Sequence, residues 1–285
     1  MQKSKQSARK RQRMYNVIRI IVLCFITFSL LFPVLIAIMP TFQTVQEASR
    51  GVFYWPSNWN FDNYREAWAL SNFPRSFKNS LIISGGTATI TIILGGLAAF
   101  PMGIRGNRKV FRISFFVFII GMMLPFQSIM IPLHVMMSRW LGLTNTYVGP
   151  IAVYVSMTLP LTVFFYSQFI RSMSRELEEA AVVDGCGYLK MYWKIFFPLL
   201  KPVTSAILIQ NMLFLWNDLL VPLILINRPQ LQPIMPMVFQ FFGTYSNRWN
   251  LAFSVLMMAA IPFLLVFLAL QKHFIHGMSV GAVKG

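Results

Sequence analysis

Six apolar runs divide this sequence, at 16–40, 79–101, 110–133, 147–170, 202–226 and 249–273, and most charged residues fall between them. Each run is long enough to cross a hydrocarbon layer as a helix, which takes about 20 residues. Composition agrees: 56% of the 285 residues are hydrophobic and only 12% charged, too apolar for a soluble domain of this size. The expectation is an all-α membrane protein with six transmembrane helices in a single domain over 1–285, with no detached soluble part.

A net charge of +17 raises nucleic acid as a partner, and the distribution of the charge removes it. Eighteen of the 25 Lys and Arg lie in 1–19, 101–112, 171–201 and 272–285, and seven in the alternating segments. That asymmetry is the positive-inside pattern and places both termini in the cytoplasm. The basic arm 1–14, polar and expected to be mobile, resembles the start of a signal peptide. The run behind it is too long for one and no small-residue cleavage site follows, so it is expected to stay as a helix. Cys24, in an apolar run, and Cys186, in a polar loop, give no disulfide framework. His134, His273 and His276 are scattered and form no metal-ligand cluster.

Residues 41–78 form the longest external segment, with Trp55, Trp59, Tyr64 and Trp68, and 63–68 has the pattern of a short surface helix. It suits an interfacial aromatic belt or a cap that meets an extracellular protein. The second run carries Gly85, Gly86, Gly95 and Gly96 with Ala88, Ala98 and Ala99, small residues that let helices pack closely in lipid. In the third, Pro125 and Pro132 should bend the helix and free carbonyls that cap locally or line a cavity, which makes Gln127 a cavity candidate. The fifth has the most polar set: Gln210, Asn211, Asn217 and Asp218. A charge inside a membrane costs about 2.5–3.5 kcal/mol on insertion scales. At ~1.5 Å per residue Asp218 lies about 24 Å along the helix from Pro202. There it reaches interfacial water, pairs with Arg228, or faces a cavity with Trp216 and Asn217. Amide and carboxylate groups beside an aromatic face suit a sugar, although a structural or gating role is favoured over direct contact. Residues 227–250 form a second external segment, and the glycine-bearing tail 274–285 is expected to be flexible.

The polar stretch 175–202, RELEEAAVVDGCGYLKMYWKIFFPLLKP, holds four of the eight acidic residues. It has the pattern of two short helices with a turn at Asp184, Gly185 and Gly187. Leu177, Ala180, Ala181 and Val183 give the first helix its small and apolar positions. Tyr188, Met191, Tyr192 and Ile195 recur at helical spacing in the second, and Pro198 and Pro202 close it. Such a pair suits docking of a soluble partner; the plain alternative is a loop that only ties two spans together.

Glu179-Ala180-Ala181, then Gly185, Ile195 and Pro198 at their spacing, resembles the EAA loop of permease subunits of bacterial ABC importers. LEEAAVVDG, Trp216-Asn217-Asp218 with Pro222, and the terminal GAVKG are similar to the carbohydrate-uptake, maltose-type branch. Two departures are visible: Phe197 stands where the family usually has Leu, and Cys186-Gly187 where Ala-Ser is commoner. The resemblance implies a type I ABC importer permease fold in a bacterial plasma membrane, among membrane lipid. It makes the loop a coupling helix that sits in a groove of an ATP-hydrolysing subunit, with Glu178, Glu179, Ala180, Ala181, Asp184, Gly185, Cys186, Tyr188 and Lys190 as the contact set. It further implies a second homologous permease, a dimer of ATP-binding subunits and an extracellular solute-binding protein, with the tail reaching towards the ATPase interface.

No GxxxxGK[ST] phosphate loop is present, so ATP and Mg are expected on the partner and no cofactor on this chain. No buried relay of several ionisable groups suggests a proton-coupled pump. HExxH, GxSxG and aspartate-rich metal motifs are also absent, which leaves an enzyme without a nucleophile, base or metal site. The expected function is import of a sugar or oligosaccharide by alternating access, driven in trans. The rivals are the same architecture with another polar solute, and a self-sufficient carrier.

Overall fold

The structure, a computed structural model, describes residues 2–51, 53–243 and 248–282. All regular structure among them is helical, and the chain divides into two compact units.

The first unit comprises Met1–Leu70 and Gln240–Met258. Helix α1 (Gln2–Ile38) contains the first apolar run, and the backbone of the basic arm continues this helix where a mobile arm was expected. A 3-10 turn, Met39–Phe42, follows, with Pro40 in its first turn, where a missing N–H matters least. Helix α2 (Val45–Arg50) opens on a reciprocal cap: Thr44 N–H donates to Glu47 Oε2 at 2.9 Å, and Glu47 N–H donates to Thr44 Oγ1 at 3.3 Å. Hydrogen bonds from the Ser57 side chain, then from the backbone amides of Thr44 and Ser57, hold the Glu47 carboxyl down at about 2. Helix α3 (Asp62–Leu70) includes the surface helix expected at 63–68. It is tied down by buried Asn63, whose Nδ2 donates to the Thr41 and Gln43 carbonyls at 2.8 and 2.9 Å. Asn63 Oδ1 accepts from Asn250 Nδ2 at 2.8 Å, and Glu66 pairs with Arg248 at 2.7 Å.

The second unit comprises Ser71–Phe239 and Ala259–Gly285. Helix α4 (Phe73–Ile104) is longer than the run at 79–101 within it. Next come α5 (Lys109–Met122) and α6 (Phe126–Val135), which meet at 94°, so the third run is two helices and not one. Pro125 explains the break, because it removes a donor and pushes the preceding residue out of the helical region. A π-turn, Met136–Trp140, leads towards α7 (Val148–Ser172), the fourth run. The polar stretch folds as α8 (Glu176–Val183), α9 (Tyr188–Met191), a π-turn at Tyr192–Phe196 and α10 (Phe197–Leu199).

The fifth run is broken too. Helix α11 (Lys201–Asn217) stops at Asp218, and α12 (Leu220–Leu225) resumes after it. The segment from Tyr188 to Leu199 bends by 74° into α11, so Pro198 and Pro202 turn the chain without ending the helical path. After a 3-10 turn, Pro229–Leu231, come α13 (Ile234–Gly243) and α14 (Trp249–Ala282). Helix α14 continues through most of the tail expected to be flexible; the last three residues of the GAVKG motif lie outside the described residues.

Three helices are long and apolar enough to span a membrane unbroken, Met14–Phe42, Phe73–Ile104 and Val148–Ser172. Two bent pairs and the apolar start of α14, Trp249–Leu265, supply the other three places in the six-run pattern. The core of the second unit lies between α4 and α7. A Cβ on Gly95 would overlap Thr162 and one on Gly103 would overlap Ile170, so these glycines set the close approach. Thr91 and Thr158 share a hydroxyl hydrogen bond at 3.0 Å across the same interface. Gly85, by contrast, faces open space.

Candidate coupling and translocation surfaces

Helix α8 begins with Glu176, Glu178 and Glu179 in its first turn, where the amide dipoles favour negative charge. It ends in a two-bond turn that needs glycine. Gly185 N–H donates to the Val182 carbonyl at 3.0 Å and Cys186 N–H to the Ala181 carbonyl at 2.9 Å, with Gly185 at φ 69°. Ala181 faces inward, Cys186 is half-buried, and Glu179, Ala180, Asp184 and Gly185 are exposed. Beyond the turn, exposed Tyr188 lies under the Arg105 guanidinium at 4.5 Å, beside exposed Lys190.

The inner face of the segment is wedged into the hydrophobic core of the second unit. Met191, Tyr192, Phe196 and Leu200 are buried in one cluster with Ala99 and Phe100 of α4 and Val163 and Tyr166 of α7. Phe100 stacks obliquely on Tyr192 at 5.4 Å and edge-on to Phe196 at 5.0 Å. Tyr192 Oη sits in a notch at Gly96, which a Cβ would fill. Of the stripe expected at Tyr188, Met191, Tyr192 and Ile195, Met191 and Tyr192 are buried, Ile195 packs half-buried against the same cluster, and Tyr188 is exposed. In the π-turn Phe197 N–H bonds the Tyr192 carbonyl five residues back, and Phe196 joins the buried set. The outer face is apolar at its tips: Val183 is 86% exposed and Leu189 66%.

The break between α11 and α12 orders the second set of candidates. Asp218 Oδ2 accepts from Val221 N–H at 2.9 Å, capping α12, and from Tyr154 Oη at 2.8 Å. Arg228 is not its partner here; the Arg228 backbone N–H instead donates to Asn145 Oδ1 at 2.9 Å. Trp216 is buried, with Nε1–H donating to the Ala259 carbonyl at 3.0 Å and its ring edge-on to Phe77. Asn211 is 3% exposed, and its Nδ2 meets no partner among the described residues. Asn217 is exposed and donates to the Leu213 carbonyl at 2.8 Å. Gln127 is exposed in the first turn of α6, beside buried Phe126. Of the five residues singled out in sequence, three face protein and two are open. Tyr154 was missed, because nothing in the sequence sets it apart from Tyr147 and Tyr166 in the same run; Gly96 was read as a close-packing residue, but its contact with Tyr192 was not.

Broken and continuous spans around a polar segment keyed into their core make up an all-helical, multi-pass membrane protein. Residues 91–280 match the family described as binding-protein-dependent transport system inner membrane component. The melibiose/raffinose/stachyose import permease protein MelC of Bacillus subtilis is 40% identical over 239 residues, 84% of this chain and 85% of MelC. The multiple sugar-binding transport system permease protein MsmG of Streptococcus mutans is 34% identical, over 90% of this chain and 92% of MsmG. In fold the chain resembles one from the crystal structure of a bacterial ABC transporter involved in the import of the acidic polysaccharide alginate. The TM-score is 0.77, over 92% of this chain and 97% of that one, at 19% identity. The chain belongs to the family of binding-protein-dependent transport system inner membrane components. It is a transport subunit, not an enzyme, in an importer that works with a solute-binding protein.

Proposed function

We propose that this chain is a permease subunit of an ATP-driven importer in a bacterial plasma membrane, with both termini cytoplasmic, and that its cargo is a neutral sugar or oligosaccharide. It works beside a second, homologous permease. A dimer of ATP-binding subunits grips the segment 175–202, and an extracellular solute-binding protein delivers the cargo. ATP and Mg act on the ATPase partner, and this chain carries no cofactor. Closure of the ATPase pair moves the docked segment, and the attached spans tilt to open the path outward; hydrolysis returns it inward.

One observation carries this reading: the segment offers an exposed tip with Val183 and Leu189 while its inner face shares a core with α4, α7 and α11. A surface that is apolar on one side and rigidly seated on the other suits transmission of a push. The cargo class rests on the import and sugar-binding names of MelC and MsmG.

Gly185→Asp puts a side chain where φ is positive, at a cost of about 1–2 kcal/mol, and Glu179→Lys reverses a charge on the exposed face. Either variant should insert normally yet lose ATPase in a pull-down and lose most of its sugar uptake. Wild-type recovery of the ATPase with either variant would defeat the coupling role. Binding-protein-dependent uptake of a labelled amino acid, with no labelled sugar taken up, would defeat the cargo class.

A further inference from the structure

The turn between α4 and α5 carries four cations, Arg105, Arg108, Lys109 and Arg112, with no acidic residue between them. It is tight: Arg108 N–H donates to the Arg105 carbonyl at 2.9 Å, and Arg112 N–H to the Arg108 carbonyl at 3.1 Å. Arg108, Lys109 and Arg112 are exposed, and Arg105 is half-buried. Like charges this close repel, and cations sit badly at the start of α5, where the helix dipole favours an anion. None of the four is in an ion pair among the described residues. Glu178 and Glu179 line a neighbouring cleft with Arg105, Arg108 and Arg175, and pair with none of them. Arg171 is engaged elsewhere: Nη2 donates to the Met102 carbonyl at 3.2 Å, and its guanidinium lies over Phe115 at 5.3 Å.

Beside this turn lies an apolar groove. Leu97, Phe100 and Ile104 of α4, Phe111 of α5 and Leu189 of α9 line a cavity of about 370 Å³, and Arg105 is its one charged residue. From Arg105 the groove runs back along α4 to Leu97, about 12 Å at the helical rise of ~1.5 Å per residue. It therefore begins at the polar end of the span and enters its apolar depth. Helix α5 buries no residue, and Val110, Ile113, Val117 and Ile120 are exposed along one stripe of it, a face open to acyl chains. The Tyr188 ring takes the face of the Arg105 guanidinium at 4.5 Å, which leaves the N–H edge of the fork free to donate.

We infer that this corner binds an anionic phospholipid, with its phosphodiester on Arg105 and Arg108 and an acyl chain in the groove between α4, α5 and α9. A basic rim beside an apolar groove matches an amphiphile of that charge and no water-soluble anion. Phosphate oxygens accept the charge-assisted bonds that guanidinium groups form best. A zwitterionic headgroup brings a cation of its own to the same rim, so the site selects for net negative charge. The chain lies against Leu189, so an occupied site braces the polar segment on α4. The inference concerns the membrane-embedded chain alone and does not depend on the cargo.

The full-length chain, purified and stripped of lipid in detergent, is equilibrated with micelles of equal phosphatidylglycerol and phosphatidylcholine. Native mass spectrometry then counts the phospholipid that stays bound. The wild type should retain phosphatidylglycerol in preference to phosphatidylcholine. Arg105→Ala and Arg108→Ala should each lower that retention about fivefold, the worth of a single basic residue beside an anionic headgroup. Leu97→Trp, which fills the groove and leaves every charge in place, should lower it as well. Arg65→Ala, at an exposed position of α3, should not. Equal retention of the two lipids, or wild-type retention in both arginine variants, overturns the inference. Displacement of phosphatidylglycerol by millimolar inorganic phosphate also overturns it and makes the corner a free-phosphate site. So does an arginine variant that keeps its lipid yet loses the ATPase in a pull-down, which would assign the cations to the docking surface. Should an alanine variant fail to accumulate in the membrane, Arg105→Gln and Arg108→Gln keep a polar side chain and remove the charge. Wild-type lipid retention in both would sink the site.

Discussion

A carboxylate inside an apolar run is the residue that sequence picks out first, and here Asp218 serves as a cap and an anchor. It fills the empty donor at the start of α12 and fixes the Tyr154 hydroxyl, 64 residues away in the chain. Asp218→Ala should therefore lower stability by about 1–3 kcal/mol, the cost of leaving partly buried donors unmade. Asp218→Asn should cost less, since both bonds go to the one oxygen Oδ2 and an amide oxygen in its place still accepts them. Thermal unfolding of the detergent-solubilised protein reads both; equal losses would mean that charge, and not acceptance, matters. Sequence offered interfacial water, Arg228 or a cavity for Asp218. Tyr154 was not among them, because Arg228 is close in the chain and Tyr154 is close only in the fold. Trp216 and Asn211 were drawn in by the same polarity and turn inward, since residue type does not tell which side of a helix faces a neighbour.

At the scale of elements, the segment from α8 to α10 was legible in its essentials: two helices, an acidic start and a glycine turn. Gly185 is the clearest success, because a helix C-terminus that closes with two backbone bonds demands a left-handed residue. The π-turn was not legible. It adds Phe196 to the buried face, and a periodicity of 3.6 cannot anticipate a local widening. Tyr192 against Gly96 gives this element a sharp test. Gly96→Ala should destabilise by about 1–3 kcal/mol, as overpacking does. Tyr192→Phe removes the overlapping oxygen, which has no hydrogen-bond partner among the described residues, so the double variant should recover part of that loss. Strict additivity in a double-mutant cycle on thermal stability would show that the notch does not exist.

At the scale of the whole molecule, six apolar runs gave the membrane class, and four of them keep to one helix. The third and fifth do not: one turns by 94° near Pro125 and the other stops at Asp218. Hydropathy counts apolar residues and carries no direction, so a bend within a run leaves no mark beyond its prolines and its polar residue. The two cysteines test the topology. Cys186 is half-buried in the polar segment and Cys24 lies in α1 among apolar residues. A membrane-impermeant maleimide should label Cys186 in inside-out vesicles and spare it in right-side-out ones, with a Cys186→Ser variant unlabelled in both. The reverse pattern would put the segment on the outer side, away from any source of ATP. Tyr192 and Phe196 also set how this permease would respond to a stroke. Because the linkage is keyed into its neighbours as a close-packed solid, it has almost no backlash, and a displacement at its tip reaches the spans before it can dissipate.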